Sequence, residues 1–191
     1  MRHHSLLSST ALALIAITGP LTAQQRAGEW QVRISSGRFV ATGDQRSTTK
    51  DAPVIAAQVS HTVSSRLAVI ATLGWARSRD LASATTPKLD ILSADLGLET
   101  RVTRWNLGGT TTFTPFAGVG AGARSYDSRH PGAASTSAVA GYLAAGGELG
   151  IGRFGVRVEM RDYLTDHSRA NGLRNDVVFM GAIRFNRNRV P

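Results

Sequence analysis

Apolar and polar residues alternate through most of residues 24–191, and no stretch keeps the spacing of an amphipathic helix for three turns. Alternation of this kind is typical of β-strands with one apolar face. Eight strands are predicted, at residues 29–40, 53–63, 66–77, 88–103, 111–126, 137–150, 153–164 and 175–186. Most of them exceed the roughly 5–6 residues of strands in soluble sheets and suit the roughly 9–11 residues that a tilted strand needs to cross a bilayer.

The connections between the predicted strands alternate between long and short. Long polar connections, rich in turn-forming residues, follow the first, third, fifth and seventh strands. Short connections follow the second, fourth and sixth strands, at residues 64–65, 104–109 and 150–152. An even number of strands with long loops at one end and short turns at the other predicts an all-β fold, an eight-stranded antiparallel up-and-down transmembrane β-barrel.

The charges within the predicted strands lie on one face, opposite an apolar face. The residues expected to form an ion network in the lumen are Asp95, Glu99, Arg101, Glu148, Arg157, Glu159 and Arg161. The residues expected to face lipid are Leu92, Leu96, Leu98, Val156, Val158, Phe179 and Ile183. Charges of both signs at mid-strand suit a packed interior in which they pair. A lipocalin-like soluble barrel, with these charges in water, is the alternative.

Aromatic residues lie near the ends of the predicted strands. Two aromatic girdles, one at each water–lipid interface, are expected of a membrane barrel. The residues assigned to these girdles are Trp30, Trp75, Trp105, Phe154 and Phe185, together with Phe39, Phe113 and Tyr163.

Four segments carry a resemblance to a known family. They are TPFAGVGAG at 114–122, GGELG at 146–150, VRVEMRDY at 156–163 and NDVVFMGAIRF at 175–185. In this order they make the chain resemble the outer-membrane β-barrel family, the small eight-stranded OmpA/OmpX-like barrels of the Gram-negative cell envelope. Together with the strand pattern, the resemblance predicts a non-enzymatic integral outer-membrane protein without a cofactor, and with a structural, envelope-stabilising or adhesion-like surface role. Family barrels usually end on the aromatic residue of the last strand, whereas six residues follow Phe185 here.

The first 23 residues have the composition of a cleavable signal peptide. Arg2 supplies a positive charge, residues 6–17 are mostly apolar, and Leu21-Thr22-Ala23 provides a cleavage site before Gln24. The expected organisation is a signal peptide at 1–23 and a barrel domain at 24–191. Export makes periplasmic chaperones and the barrel-assembly machinery the expected partners during insertion into the outer membrane. The chain has no cysteine, which excludes disulfides and cysteine nucleophiles.

Two motifs suggest catalysis or nucleotide binding. His167-Ser168, with Asp162 and Asp166 nearby, suggests a lipid A-modifying hydrolase that would lose activity in a His167→Ala variant. Adjacent residues in a strand point to opposite faces, so this pair is expected to diverge. The glycines at 118, 120 and 122 lack the spacing of a nucleotide-binding loop and predict close packing in the lumen. No three residues have the spacing of a metal site.

The ion network also suggests a narrow channel, whose conductance would change in Glu148→Gln or Arg157→Gln variants. Eight strands enclose a space that side chains fill, so a plugged lumen is the structural expectation.

The chain is basic, with 22 Lys and Arg against 13 Asp and Glu and a net charge of +9. The arginines in or near the long loops are Arg46, Arg77, Arg79, Arg129, Arg169 and Arg174. We expect them to contact the phosphates of outer-membrane lipid and lipopolysaccharide, since guanidinium groups bind phosphate bidentately. Nucleic acid is not expected as a partner, because the basic residues are spread along an exported chain.

The assignment of faces predicts different costs at two neighbouring positions. Leu96→Arg places a charge on the expected lipid face and should cost about 2–4 kcal/mol. Gly97→Ser, on the expected lumen face, should be milder.

Overall fold

The computed structural model describes residues 28–129, 135–152, 154–167 and 172–185. The strands are β1 (Trp30–Ala41), β2 (Ala52–Thr62), β3 (Leu67–Arg79), β4 (Lys88–Arg101), β5 (Trp105–Gly108), β6 (Thr111–Ser128), β7 (Thr136–Ile151), β8 (Phe154–His167) and β9 (Gly172–Phe185). A 3-10 helix, Gly43–Ser47, lies between β1 and β2. No helix in the described ranges is long and apolar enough to cross a membrane. The expected signal peptide at 1–23 lies outside the described residues.

Eight of the strands close into a barrel by antiparallel pairing. Consecutive long strands pair with each other, β4 pairs directly with β6, and β9 pairs back onto β1. The short strand β5 pairs with the first residues of β6 as an added hairpin arm. The predicted eight-stranded antiparallel up-and-down fold is confirmed.

The register around the barrel sets the tilt of its strands. A path through paired residues starts at Trp30 and returns to β1 at Val40, ten residues further along. Its intermediate steps are His61, Val69, Leu98, Val119, Leu143, Asp162 and Val177. This stagger corresponds to strands tilted by roughly 35–45° from the barrel axis. The stagger therefore has to be known before the sequence positions of two side chains that meet across the lumen can be matched.

The predicted strand boundaries agree with the structure to within three residues at each end. The connection after β4 was expected to be a turn and instead contains β5. It forms a hairpin because Gly108 and Gly109 adopt φ values of 108° and 55°, which other residues rarely reach. At the same end, Gly152 directly follows β7 and has φ 57°.

The middle of the barrel is apolar outside and charged inside. The residues expected to face lipid all point outward, with exposed fractions from 43% at Val156 to 76% at Ile183. On β4, the intervening Asp95 and Glu99 are only 6% and 2% exposed. This arrangement is the reverse of that in a soluble barrel, whose apolar face is the buried one.

Apolar and tyrosine side chains fill the lumen toward the long-loop end. The larger members of this cluster are Phe39, Val54, Leu89, Ile91, Tyr126, Tyr142, Tyr163, Val178 and Met180. The assignment of Phe39 and Tyr163 to an outer girdle is therefore wrong. Phe39 is an odd number of residues from the outward-facing Trp30 and so points inward, and Tyr163 shares the inner face of Arg161.

The Gly97→Ser control that the sequence suggested is unsuitable. A Cβ atom at Gly97 would overlap the Tyr142 hydroxyl oxygen and lie 2.9 Å from the Val119 carbonyl oxygen. The lumen at this position is already filled, so the expectation of a mild effect is wrong.

Leu107→Arg is instead the suitable control for Leu96→Arg. Both leucines face outward, with exposed fractions of 62% and 60%, but Leu96 is at mid-strand and Leu107 lies in β5 at the short-turn end. In a bilayer, Leu96→Arg should lower the free energy of unfolding by about 2–4 kcal/mol and Leu107→Arg by about 0–1 kcal/mol. Urea unfolding in lipid vesicles, followed by tryptophan fluorescence, measures both, and equal costs would show that depth in the bilayer is irrelevant.

Candidate functional site

One strand, β8, carries the central charges of the lumen. Arg157, Glu159 and Arg161 alternate along it, so all three side chains point inward. Each is at most 6% exposed. In the closed ring, β8 stands opposite β3 and β4, so these side chains cross the lumen to reach their partners.

Arg157 joins β8 to β4. Its Nη1 and Nη2 donate to the carboxylate of Glu99, and its Nε and Nη2 donate to Glu159 at 3.1 and 2.9 Å. The guanidinium group also stacks 3.6 Å from the centre of the Phe116 ring. Arg101 adds a second donor to Glu99, from Nε at 3.2 Å.

Arg161 makes a second connection to the same wall. It donates to Glu159, to Asp95 at 3.5 Å and to the Thr72 hydroxyl at 3.0 Å. The Tyr163 hydroxyl donates to the same Asp95 oxygen at 2.7 Å. Six of the seven residues assigned to a lumen network thus lie in one connected set of ion pairs. The seventh, Glu148, lies apart and pairs with Arg184 toward the short-turn end.

A second buried network lies toward the long-loop end. Arg124 donates to Asp176 at 2.7 Å, and the Tyr126 hydroxyl donates to the same carboxylate oxygen at 3.4 Å. The Arg124 guanidinium stacks 3.7 Å from the centre of the Tyr163 ring. Sequence reasoning missed this network. The sequence signal that could have revealed it is the spacing of Arg124, which lies two residues after the glycines at 118, 120 and 122 and so shares their inner face.

Those glycines accommodate an aromatic ring and a carboxylate. A Cβ atom at Gly120 would lie 2.5 Å from the Tyr142 ring, and one at Gly122 would lie 2.5 Å from Asp95 Oδ1. The interpretation of this motif as close packing is confirmed. A cavity of about 20 Å³, lined by residues such as Phe39, Thr72 and Tyr163, lies where the apolar cluster meets the ion network. It has room for about one water molecule.

The hydrolase motif receives no support from the described residues. Ser168 and the His167 side chain lie outside them. Asp162 lies on the outer face of β8, pointing away from the lumen. Within the described ranges, no group of three or more side chains is arranged to hold a metal ion.

A polar cluster lies on the outer face near the long-loop end. We call Trp75, Arg77, Asp90 and Arg129 the rim cluster. Asp90 accepts hydrogen bonds from Trp75 Nε1 at 3.3 Å, Arg77 Nε at 3.0 Å and Arg129 Nε at 2.7 Å. The Arg77 guanidinium lies 4.7 Å from the centre of the Trp75 ring. Both arginines thus use Nε for Asp90 and present their terminal nitrogens to solvent, with side chains 41% and 54% exposed.

The other residues assigned to the aromatic girdles lie at the short-turn end. Trp30, Trp105 and Phe154 are 67%, 47% and 59% exposed. Trp105 packs against Phe113, with ring centres 5.7 Å apart. The side chain of Phe185 lies outside the described residues.

Comparison with known proteins bears on the fold. No family model and no curated protein matches the sequence. The crystal structure of Neisserial surface protein A aligns with a TM-score of 0.55 at 9% identity, over 82% of this chain and 96% of that one. Ail, the attachment invasion locus protein of Yersinia pestis, aligns with a TM-score of 0.50 at 13% identity, over 84% and 99%. This chain has the fold of the small eight-stranded outer-membrane barrels.

The outer-membrane barrel fold explains why the ion network has to be nearly complete. Eight strands leave an interior only wide enough for side chains, so a charge that points inward is removed from water. Such a charge is costly unless an opposite charge and hydrogen bonds accompany it. Here Glu159 lies between the guanidinium groups of Arg157 and Arg161 and pairs with both. These two arginines make the connections across the lumen, so both connections depend on the charge of Glu159.

Glu159→Gln should therefore destabilise the barrel strongly. It leaves Arg157 and Arg161 buried with no carboxylate between them, and we expect a loss of about 3–5 kcal/mol. Asp51→Asn is the matched control, since Asp51 pairs with the exposed Arg38 at 3.8 Å and should cost at most about 1 kcal/mol. Urea unfolding midpoints of the two variants in detergent test this. Similar midpoints would contradict a structural role for the network.

Proposed function

We propose that the chain is an integral outer-membrane β-barrel protein that stabilises the envelope and presents its long loops for interactions at the cell surface, without enzymatic activity. The observation that carries this proposal is the inverted distribution of polarity. Arg161 and Glu99 are 1% and 2% exposed inside, while Leu96 and Ile183 are 62% and 76% exposed outside. A lipid environment makes such an apolar surface favourable, and closure of the barrel satisfies the backbone hydrogen bonds that lipid cannot.

A soluble periplasmic barrel would present the same surface to water. The apolar residues involved form adjacent rows, because Leu98 pairs with Val119 and Val119 pairs with Leu143. A continuous apolar surface of this kind marks a membrane or protein contact in soluble proteins. In the half of the lumen toward the short turns, the buried and paired Arg157 and Glu159 occupy the interior, which disfavours an apolar ligand there.

The ion network also argues against an open channel. Arg157 and Arg161 reach from β8 to β4 and to Thr72 of β3, so their side chains obstruct the lumen near its middle. The Tyr142 ring packs against Gly97 and Gly120 immediately above them. A structural plug that fixes one barrel shape accounts for these contacts without an ion path.

The rim cluster suits the phosphate groups of outer-leaflet lipid. It carries two arginines and one carboxylate and so has one excess positive charge. Trp75 has the amphipathic character of residues at a water–lipid interface. Asp90 orients both guanidinium groups, whose terminal nitrogens are left for a phosphate oxygen outside the barrel. We propose that this cluster anchors a phosphorylated lipid such as lipid A at the outer leaflet.

Fractionation of a Gram-negative host that expresses the full chain tests the proposed location. The protein should be found in the outer-membrane fraction, require detergent for release and migrate differently on gels before and after boiling, because a closed barrel resists unheated detergent. Recovery in the soluble periplasmic fraction, with a single unshifted band, would overturn the proposal.

Substitution of the two rim arginines tests the lipid contact. An Arg77→Gln/Arg129→Gln variant should bind lipid A at least tenfold more weakly than the parent, since hydrogen bonds to charged groups contribute roughly 1.5–3 kcal/mol. Native mass spectrometry in detergent counts the lipid adducts, with dephosphorylated lipid A as the reference ligand. Arg38→Gln/Arg66→Gln is the control, because it removes two exposed arginines that are not among the loop arginines expected to contact phosphate, one of them in the short turn between β2 and β3. Equal binding by the two variants would contradict a specific role for the rim cluster.

A further inference from the structure

The lower lumen, from mid-barrel to the short-turn end, contains more buried cations than anions. Among the described residues of the inner faces, its guanidinium groups belong to Arg33, Arg101, Arg157, Arg161 and Arg184. Its carboxylates belong to Asp95, Glu99, Glu148 and Glu159. One positive charge therefore has no counterpart.

Arg33 is the unmatched cation. It lies on the inner face of β1, is 3% exposed, and forms no ion pair among the described residues. Its one hydrogen bond is a long one, from Nη1 to Gln31 Oε1 at 3.5 Å, while Nε and Nη2 have no partner. A buried guanidinium with two unsatisfied nitrogens is rare, because charged groups out of water are costly unless paired.

The nearby carboxylates are already engaged by other arginines. Arg33 is within electrostatic reach of Glu99, Glu148 and Glu159. Glu99 and Glu159 are both held by Arg157, and each also binds a further arginine, Arg101 or Arg161. Glu148 is held by Arg184. Each carboxylate within electrostatic reach of Arg33 in the described residues is therefore already paired with another arginine.

Two further donors in the lower lumen are unsatisfied. They are Nη2 of Arg101 and Nε of Arg184, both buried without a partner. Continuing the β1–β9 register by two residues beyond the Ser35–Ala182 pair places Arg33 beside Arg184. The side chain of Arg184 is 20% exposed, so this end of the charged set is in partial contact with solvent.

We propose that the short-turn end of the lumen is a binding site for one small oxyanion of the phosphate class, with Arg33 as its main ligand and Arg184 and Arg101 as further donors. The Nε and Nη2 edge of a guanidinium matches two oxygens of such an ion. One bound anion neutralises the excess charge of the lower lumen and satisfies the open nitrogens of Arg33. The site lies inside the barrel, far from the rim cluster, and does not depend on the lipid contact proposed there.

Inorganic phosphate is the probe that tests the site. The full barrel, folded in zwitterionic detergent, is titrated with phosphate by calorimetry at constant pH and ionic strength, with methanesulfonate as the balancing anion. We expect saturable binding of one phosphate and a rise in the unfolding temperature that saturates over the same concentrations. Arg33→Gln should weaken binding at least tenfold. Arg38→Gln, which removes an exposed arginine of the same strand, should bind like the parent.

Three results would overturn the proposal. One is the absence of saturable phosphate binding by the parent barrel, which would mean that water alone solvates Arg33. Another is equal binding by Arg33→Gln and the parent. The third is loss of binding in Arg38→Gln, which would place the ion on the outer surface. If Arg33→Gln does not fold, Arg101→Gln takes its place with an expected loss of at least threefold, and the parent titration remains decisive by itself.

Discussion

The ion pairs that Arg157 and Arg161 of β8 form with Glu99 and Asp95 of β4 are the interaction on which the rest of the barrel depends. They join opposite walls of a closed sheet whose interior is filled almost entirely by side chains. Removing one member leaves buried opposite charges with fewer partners, which costs more than the intact pair contributes. The network therefore selects one shape of the barrel more than it adds net stability.

These ion pairs cross the lumen near its middle and divide it into two zones. Toward the long loops, Phe39, Tyr142 and Met180 pack as an ordinary apolar core, and Arg124 with Asp176 is enclosed among them. Toward the short turns, charged groups predominate, and Arg33 forms no ion pair with any residue that the structure describes. The lumen is therefore filled by packed apolar side chains toward the long-loop end. Toward the short-turn end it is polar, and Arg184 and Glu148 are partly exposed.

The strands and their faces were predictable because alternation is a local signal. On β4 and β8 each inward-facing charge is followed two residues later by another inward-facing polar or small residue, so Glu99, Arg157 and Arg161 could be placed on one face from the sequence. The misplacement of Phe39 and Tyr163 ignored that same parity, which separates Phe39 from Trp30 and joins Tyr163 to Arg161. The position of an aromatic residue near a strand end was a weaker guide to its orientation than the face of the strand on which it lies.

The partners of each charge were not predictable. Which carboxylate meets Arg157 depends on the stagger accumulated over all strand pairs, a long-range quantity that returns the register to β1 at Val40 rather than Trp30. The same holds for the pair of Arg124 and Asp176, which are 52 residues apart. The members of the rim cluster were predicted only separately, Arg77 and Arg129 as loop arginines and Trp75 as an interface aromatic, since nothing local joins Arg129 to Asp90.

Oxygen accessibility measured by electron paramagnetic resonance tests the central claim, that the apolar face of β4 contacts lipid. Because the chain has no cysteine, one nitroxide can be attached at a time, at Leu92, Leu96, Leu98 or Leu107. In lipid vesicles the account predicts a high collision rate with oxygen and a low rate with a water-soluble nickel complex at Leu96. The ratio of the oxygen rate to the nickel rate should be smaller at Leu107. Free access of the nickel complex to Leu96 would contradict it.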